Sequence, residues 1–290
     1  GPLQRDVTTK PKLFFRADNE VTITCTDAEV GDTGTVDGTI YTKRSKDQIT
    51  TGNAKTTCTS GITDMSFIFS QKGSFDGDIS HWDVSSVSDM RGMFFLASSF
   101  NGDLSGWDVS SVTDMAIMFQ DASSFTGTGL SDWNVSSVSD MGLMFDGAMD
   151  FNGDLSDWDV SNVTNMSGMF ESASSFNGDL SSWDVSSVID MSDMFFNAAS
   201  LNGDIGDWDV SSVAFMERMF AEASSFNQDL SGWCVVNILT KPSDFDTKSG
   251  LSAEQLPEWG TCPGLSITSL LTPADAATGV EVTPEFKWQQ

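Results

Sequence analysis

Aspartate recurs on a fixed beat along this chain, and regularly spaced carboxylates are the side chains best placed to do chemistry. One column holds Asp78, Asp103, Asp154, Asp179, Asp204 and Asp229. A second holds Asp83, Asp108, Asn134, Asp159, Asp184 and Asp209, and a third Asp64, Asp89, Asp114, Asp140, Asn165 and Asp190. If successive members stack about 4.8 Å apart, each neighbouring pair repels by roughly 0.9 kcal/mol even at the dielectric of water. Two reliefs exist. One is Ca2+, a hard cation that takes several carboxylate and carbonyl oxygens; Asp78, Asp103, Asp154, Asp179, Asp83 and Asp108 are its candidate ligands. The other is hydrogen bonding, in which the carboxylates accept backbone N–H groups in Asx turns and helix N-caps. The chain has neither an EF-hand loop nor the Gly-Gly-x-Gly-x-Asp repeat. Asn134 and Asn165 suit the second relief, since asparagine caps as well as aspartate does.

Catalysis finds little to work with. His81 is the only histidine, and it fills the variable site before a tryptophan, where other units carry Gly, Asp or Ser. That site reads as exposed surface. A single histidine provides no Ser-His-Asp or Cys-His constellation, and aspartate pairs are too frequent to single out a glycosidase dyad. The chain is expected to be no enzyme, to hold no catalytic or cofactor-binding residues, and to take Ca2+ if it takes any ion.

The elements that carry these columns follow a 25-residue period. Trp82, Trp107, Trp133, Trp158, Trp183, Trp208 and Trp233 are spaced 25, 26, 25, 25, 25 and 25 residues apart. Met65, Met90, Met115, Met141, Met166, Met191 and Met216 keep the same beat, as do Phe69, Phe94, Phe119, Phe145, Phe170, Phe195 and Phe220. The single 26 comes from one extra residue in Thr126-Gly127-Thr128-Gly129-Leu130. Within a unit, Met90 to Ala97 has the i, i+3, i+4, i+7 spacing of a short helix, and Asp103 to Val109 the near-alternation of a half-buried strand. Asn101-Gly102 reads as the turn between them. No single unit can bury its own apolar side, whereas stacked units join theirs into one core. The expected fold is therefore a leucine-rich-repeat-like solenoid of about seven coils, each a short strand plus a short helix, with aromatic and Met columns inside.

Such an array needs caps. Residues 12–61 read as a β-rich N-terminal cap, with strands at Leu13-Phe14-Phe15, Val21 to Cys25 and Thr39-Ile40-Tyr41. Residues 62–236 hold the coils, and 237–263 a C-terminal cap. Cys25 and Cys58 lie in the first cap, while Cys234 and Cys262 bracket the second, so those pairings are expected among the three that four cysteines allow. Free thiols or a metal site are the alternatives, although zinc is disfavoured by the absence of CxxC spacing. Disulfides would imply an oxidising compartment, hence export. Residues 1–11 read as a protease scar and linker. Residues 264–290 resemble a linker and the opening strand of a truncated immunoglobulin-like module, an adjacent domain of a longer protein.

The charge excludes partners of one kind. Forty-two Asp and Glu against fourteen Lys and Arg give a formal net charge of −28. That opposes binding to nucleic acid or to an anionic membrane surface, and favours attraction for cations. No apolar run is long enough to span a bilayer, so direct membrane insertion is not expected.

The motif W-D-V-S-S/N-V-T/S-D-M-x-x-M-F resembles the repeat of BspA-type leucine-rich-repeat surface proteins of bacteria, over residues 62–236. The flanks are similar too, from Val21-Thr22-Ile23-Thr24-Cys25 to Trp259-Gly260-Thr261-Cys262-Pro263. The resemblance implies an extracellular or cell-surface protein of bacterial type, with adhesion as its role; it names no ligand, and a surface protein or glycan is the expected partner. It carries no catalytic residues to transfer. Two other functions stay open: a passive spacer presenting another module, and a calcium-binding adhesin repeat.

Overall fold

The computed structural model describes residues 14–263. The expected protease scar and the immunoglobulin-like module fall outside them.

The cap at the N-terminal side is built from five short strands. β1 (Phe15–Arg16) pairs antiparallel with β2 (Ile23–Thr24). β3 (Thr33–Val36) and β4 (Thr39–Lys43) form a hairpin, and β5 (Thr57–Cys58) adds in parallel to β4. The hairpin turns at Asp37-Gly38, both with positive φ (49° and 81°), the conformation that matches the twist of two-residue hairpins. Single 3-10 turns lie at Lys46–Gln48, Ala54–Thr56 and Ala253–Gln255.

The expected solenoid of strand-plus-helix coils does not form. Among the described residues there is no α-helix, and between the caps there are only isolated parallel bridges, from Asp64↔Asp89 through Asp190↔Phe215. The hydrogen bonds of Met90 to Ala97 give the reason. The N–H groups of Met90, Gly92, Phe94 and Leu96 donate forward to the carbonyls of Asp114, Ala116, Met118 and Gln120 in the next coil. Those of Met93, Phe95 and Ala97 donate back three residues, to Met90, Gly92 and Phe94. Alternate amides thus serve a neighbour and a local turn. Gly92 and Leu96 hold φ of 57° and 59°, which a right-handed helix forbids. The i, i+3 rhythm of apolar residues is real, but successive tight turns satisfy it. The expected strand at Asp103 to Val109 is absent as well; inter-coil pairing is carried by the stretch read as helix.

The core follows the columns. Met90, Met93, Phe94, Ala97, Phe100, Leu104, Trp107, Val109 and Val112 are all buried, as are their counterparts in the coils that follow. Phe94 stacks on Phe100 within its coil at 4.0 Å, and Trp107 lies parallel to Trp82 and Trp133 at 6.4 and 6.3 Å. Each indole N–H is also used. Trp107 Nε1 donates to the Ile79 carbonyl at 3.1 Å, Trp133 to Leu104 at 3.2 Å, and Trp158 to Leu130 at 2.9 Å, always into the preceding coil.

Both ends continue the pattern. Trp82 finds its carbonyl at Ala54 of the N-terminal cap, 3.0 Å away. At the other end Arg218, Phe220 and Glu222 donate to the carbonyls of Ser243, Phe245 and Thr247, which lay an irregular eighth turn over the last coil. Cys25 is bonded to Cys58, and Cys234 to Cys262. The one-residue insertion is absorbed at Gly127 and Gly129, both with positive φ; a Cβ on Gly127 would meet the Gly153 Cα at 2.7 Å.

Trp158→Phe should test the indole bond. It keeps an aromatic ring in the stack but removes one of the two hydrogen bonds at the Leu130 carbonyl, which still accepts from the Trp133 amide, and opens a small void. A loss of about 1–3 kcal/mol is expected by denaturant titration.

Candidate functional site

The three acidic columns owe their conformation to one local device. In each, Oδ1 accepts the backbone N–H two residues on. Asp78, Asp103, Asp154 and Asp179 hold Ser80, Ser105, Ser156 and Ser181 in this way, at 2.9–3.1 Å. Asp83 and Asp108 hold Ser85 and Ser110 at 3.2 and 3.1 Å. Where serine follows, its hydroxyl usually donates to the same oxygen, as at Asp154 and Ser156, 2.7 Å apart. Asn134 and Asn165 make the same bonds to Ser136 and Ser167. The third column sits on the inter-coil bridges and turns the chain, with no helix there to cap.

Asp154 and Asp179 lie below the usual aspartate range because the hydroxyl and amide of Ser156 and Ser181 favour the charged form; for Asp154 that outweighs repulsion from Asp179. Asp64 feels some desolvation upward, yet bonds from Lys46 and Ser66 lower it to about 2. The six residues named as calcium ligands stay in their separate columns. Among the described residues no group of three or more His, Cys, Asp or Glu converges as a metal ion would need.

A different set of acids does come together. The column after each Met-x-x-Met-Phe motif holds Gln120, Asp146 and Glu171 in successive coils, with Asp121 and Asp193 beside it. Gln120 Nε2 donates to Asp146 Oδ2 at 2.7 Å. Asp193 Oδ1 is buried; Arg218 Nε pairs its charge at 2.8 Å without hydrogen-bond alignment, and the same guanidinium covers the Phe196 ring at 5.0 Å. Desolvation, then repulsion from Asp146 and Asp193, pushes Glu171 up to about 7. Burial likewise raises Asp146.

His81 corrects the surface reading. It is 7% exposed, its Nε2–H donates to the Thr57 carbonyl at 3.0 Å, and its ring lies against Tyr41. The cap covers the first coil at this place and makes the histidine a joint between them; burial lowers its pKa. An asparagine ladder was also missed. Asn177, Asn202 and Asn227 each donate their backbone N–H to the side-chain oxygen of the residue one coil earlier, Asn152, Asn177 and Asn202. Its 25-residue beat was visible, but the Asn-Gly pair was read only as a turn.

The family model described as "Mycoplasma protein of unknown function, DUF285" matches residues 41–158 and again 144–259. The chain belongs to this family. The two DUF285 matches run across the coils and into both flanking segments, so the family is one of repeats, and BspA-type membership is the finer reading. No curated protein and no solved structure matches the chain.

Glu171→Gln tests the acidic ridge. The carboxyl has its folded pKa raised above its unfolded value near 4.5, so its favourable contribution is present below pH 4.5 and is lost as pH rises through about 7. The amide should therefore raise the melting temperature at pH 8 by a few degrees, after allowance for solvent screening, and leave it unchanged at pH 4.5. Calorimetry at the two pH values checks it.

Proposed function

We propose that this chain is a non-catalytic, extracellular interaction region that binds a surface protein or glycan, in the manner its resemblance to BspA-type surface proteins suggests. What carries the reading is where the repeat varies. The inward columns hold to Trp, Phe, Met and Val almost without exception, while two neighbouring columns change in every coil. One runs Phe95, Gln120, Asp146, Glu171, Phe196, Ala221; the other Leu96, Asp121, Gly147, Ser172, Asn197, Glu222. A spacer has no use for such a ridge, whereas a recognition surface does. Two disulfides support a location in an oxidising compartment. No helix among the described residues is long and apolar enough to cross a membrane.

The runner-up is the passive spacer, favoured by the uniform serines and aspartates elsewhere on the surface. Binding of the intact chain to arrayed matrix proteins and polysaccharides separates the two. At least one target is expected to bind, and to be lost when Gln120, Asp146, Glu171 and Phe196 are all replaced by Ser. A blank array, or unchanged adhesion when residues 62–236 are exchanged for a rigid spacer of equal length, would refute the interaction reading.

A further inference from the structure

One strip of the surface departs from the repeat in a single direction. At three positions per unit the early coils carry Ser85, Ser88 and Asp89, then Ser110, Thr113 and Asp114, then Ser136, Ser139 and Asp140, then Ser161, Thr164 and Asn165. Toward the C-terminal end the same positions become Ile189, then Ala214 and Phe215, then Val236 and Leu239. Ile189, Phe215, Val236 and Leu239 are 48, 51, 41 and 77% exposed. Ile189, Ala214 and Phe215 adjoin across coils, since the N–H groups of Ala214 and Phe215 both donate to the Ile189 carbonyl, at 2.9 and 3.3 Å, and Val236 and Leu239 hold the corresponding positions of the next unit.

Folding does not require these side chains. Val188, Val213 and Ile238 already fill the core beneath, and Ser, Thr, Asp or Asn serves the same places in four other coils. Exposed apolar side chains standing together where the other coils carry polar ones mark a contact site. Charge selects the occupant. Asp190 follows Ile189, Glu217 lies two residues beyond Phe215, and Lys241, two residues beyond Leu239, is paired with Asp246 at 2.6 Å, on a chain of net charge −28. A second copy would set those acids against their own kind. The chain's own residues 264–290 carry Asp275, Glu281 and Glu285 against Lys287, again net negative.

We infer that Ile189, Ala214, Phe215, Val236 and Leu239 form a docking strip for a partner protein that offers apolar side chains ringed by Lys or Arg. This rests on the interaction reading above and names a partner chemistry for it. The hydrophobic contact supplies the holding force, and the acidic border supplies orientation and rate.

The test uses synthetic 14-residue peptides, one alternating Leu with Lys, one Ser with Lys and one Leu with Glu, followed by fluorescence anisotropy on the intact chain at physiological salt. The variant Ile189→Thr/Phe215→Asp/Leu239→Thr restores residues the other coils already carry, so it is expected to fold. It also adds one negative charge, which can only strengthen plain charge attraction. The Leu–Lys peptide should bind the wild type, weaken at least tenfold in the variant, and exceed both other peptides. Equal binding to wild type and variant, equal binding of the Ser–Lys peptide, or no binding at all would overturn the inference. So would a wild type that dimerises in sedimentation beside a monomeric variant. Loss of the matrix or glycan target with the peptide result intact sinks only the earlier reading; a bound target with unselective peptides sinks only this one.

Discussion

Each coil is located by a hydrogen bond its own residues cannot complete. The indole N–H of every repeat tryptophan is buried and must find an acceptor, because an orphaned donor in an apolar core is costly. It finds the Leu or Ile carbonyl of the coil before, as Trp183 does at Leu155 and Trp208 at Leu180, both at 2.9 Å. This couples register to burial: a coil displaced along the stack would lose its ring contacts and its indole bond together. The first coil makes the same demand on whatever precedes it, and Ala54 meets it. The N-terminal cap is therefore continuous with the stack in hydrogen bonding as well as in packing.

The surface is settled by a second economy. Stacked aspartates would repel, but each is occupied locally by the amide, and often the hydroxyl, of the residue two places on. The charge is stabilised inside its own coil and need not be shared with an ion between coils. The exceptions are Asp114, raised by burial and by its stacked neighbours, and the ridge at Asp146, Glu171 and Asp193, where burial and like charge act together and are offset by Arg218 and by the Gln120 hydrogen bond to Asp146. It coincides with columns that vary from coil to coil, and core packing does not account for that variation.

The sequence made the buried columns and the disulfide-bearing ends readable, because a 25-residue period in Trp, Met and Phe is incompatible with anything but equivalent environments. It did not reveal the backbone between them. Apolar spacing of i, i+3, i+4 and i+7 describes which side chains face inward, and a run of tight turns meets it as well as a helix does. The decisive feature is positive φ at two places per coil, and these carry residues such as Phe67, Leu96, Ile117, Leu143 and Arg218 more often than glycine, which serves only at Gly92, Gly147 and Gly168. Residue type does not announce such a conformation, least of all at β-branched Ile117. The burial of His81 has another cause: it is covered by the cap, which lies outside the repeat and leaves no mark on its period.

Exchange of the indole protons in heavy water, followed by NMR, tests the central claim most directly. The account predicts that the Nε1–H resonances of Trp82, Trp107, Trp133, Trp158, Trp183, Trp208 and Trp233 persist for hours, and that they are lost together when the stack is unfolded by denaturant. Exchange of these seven within minutes under native conditions would contradict it, since the indoles could not then be bonded to the carbonyls of the preceding coils.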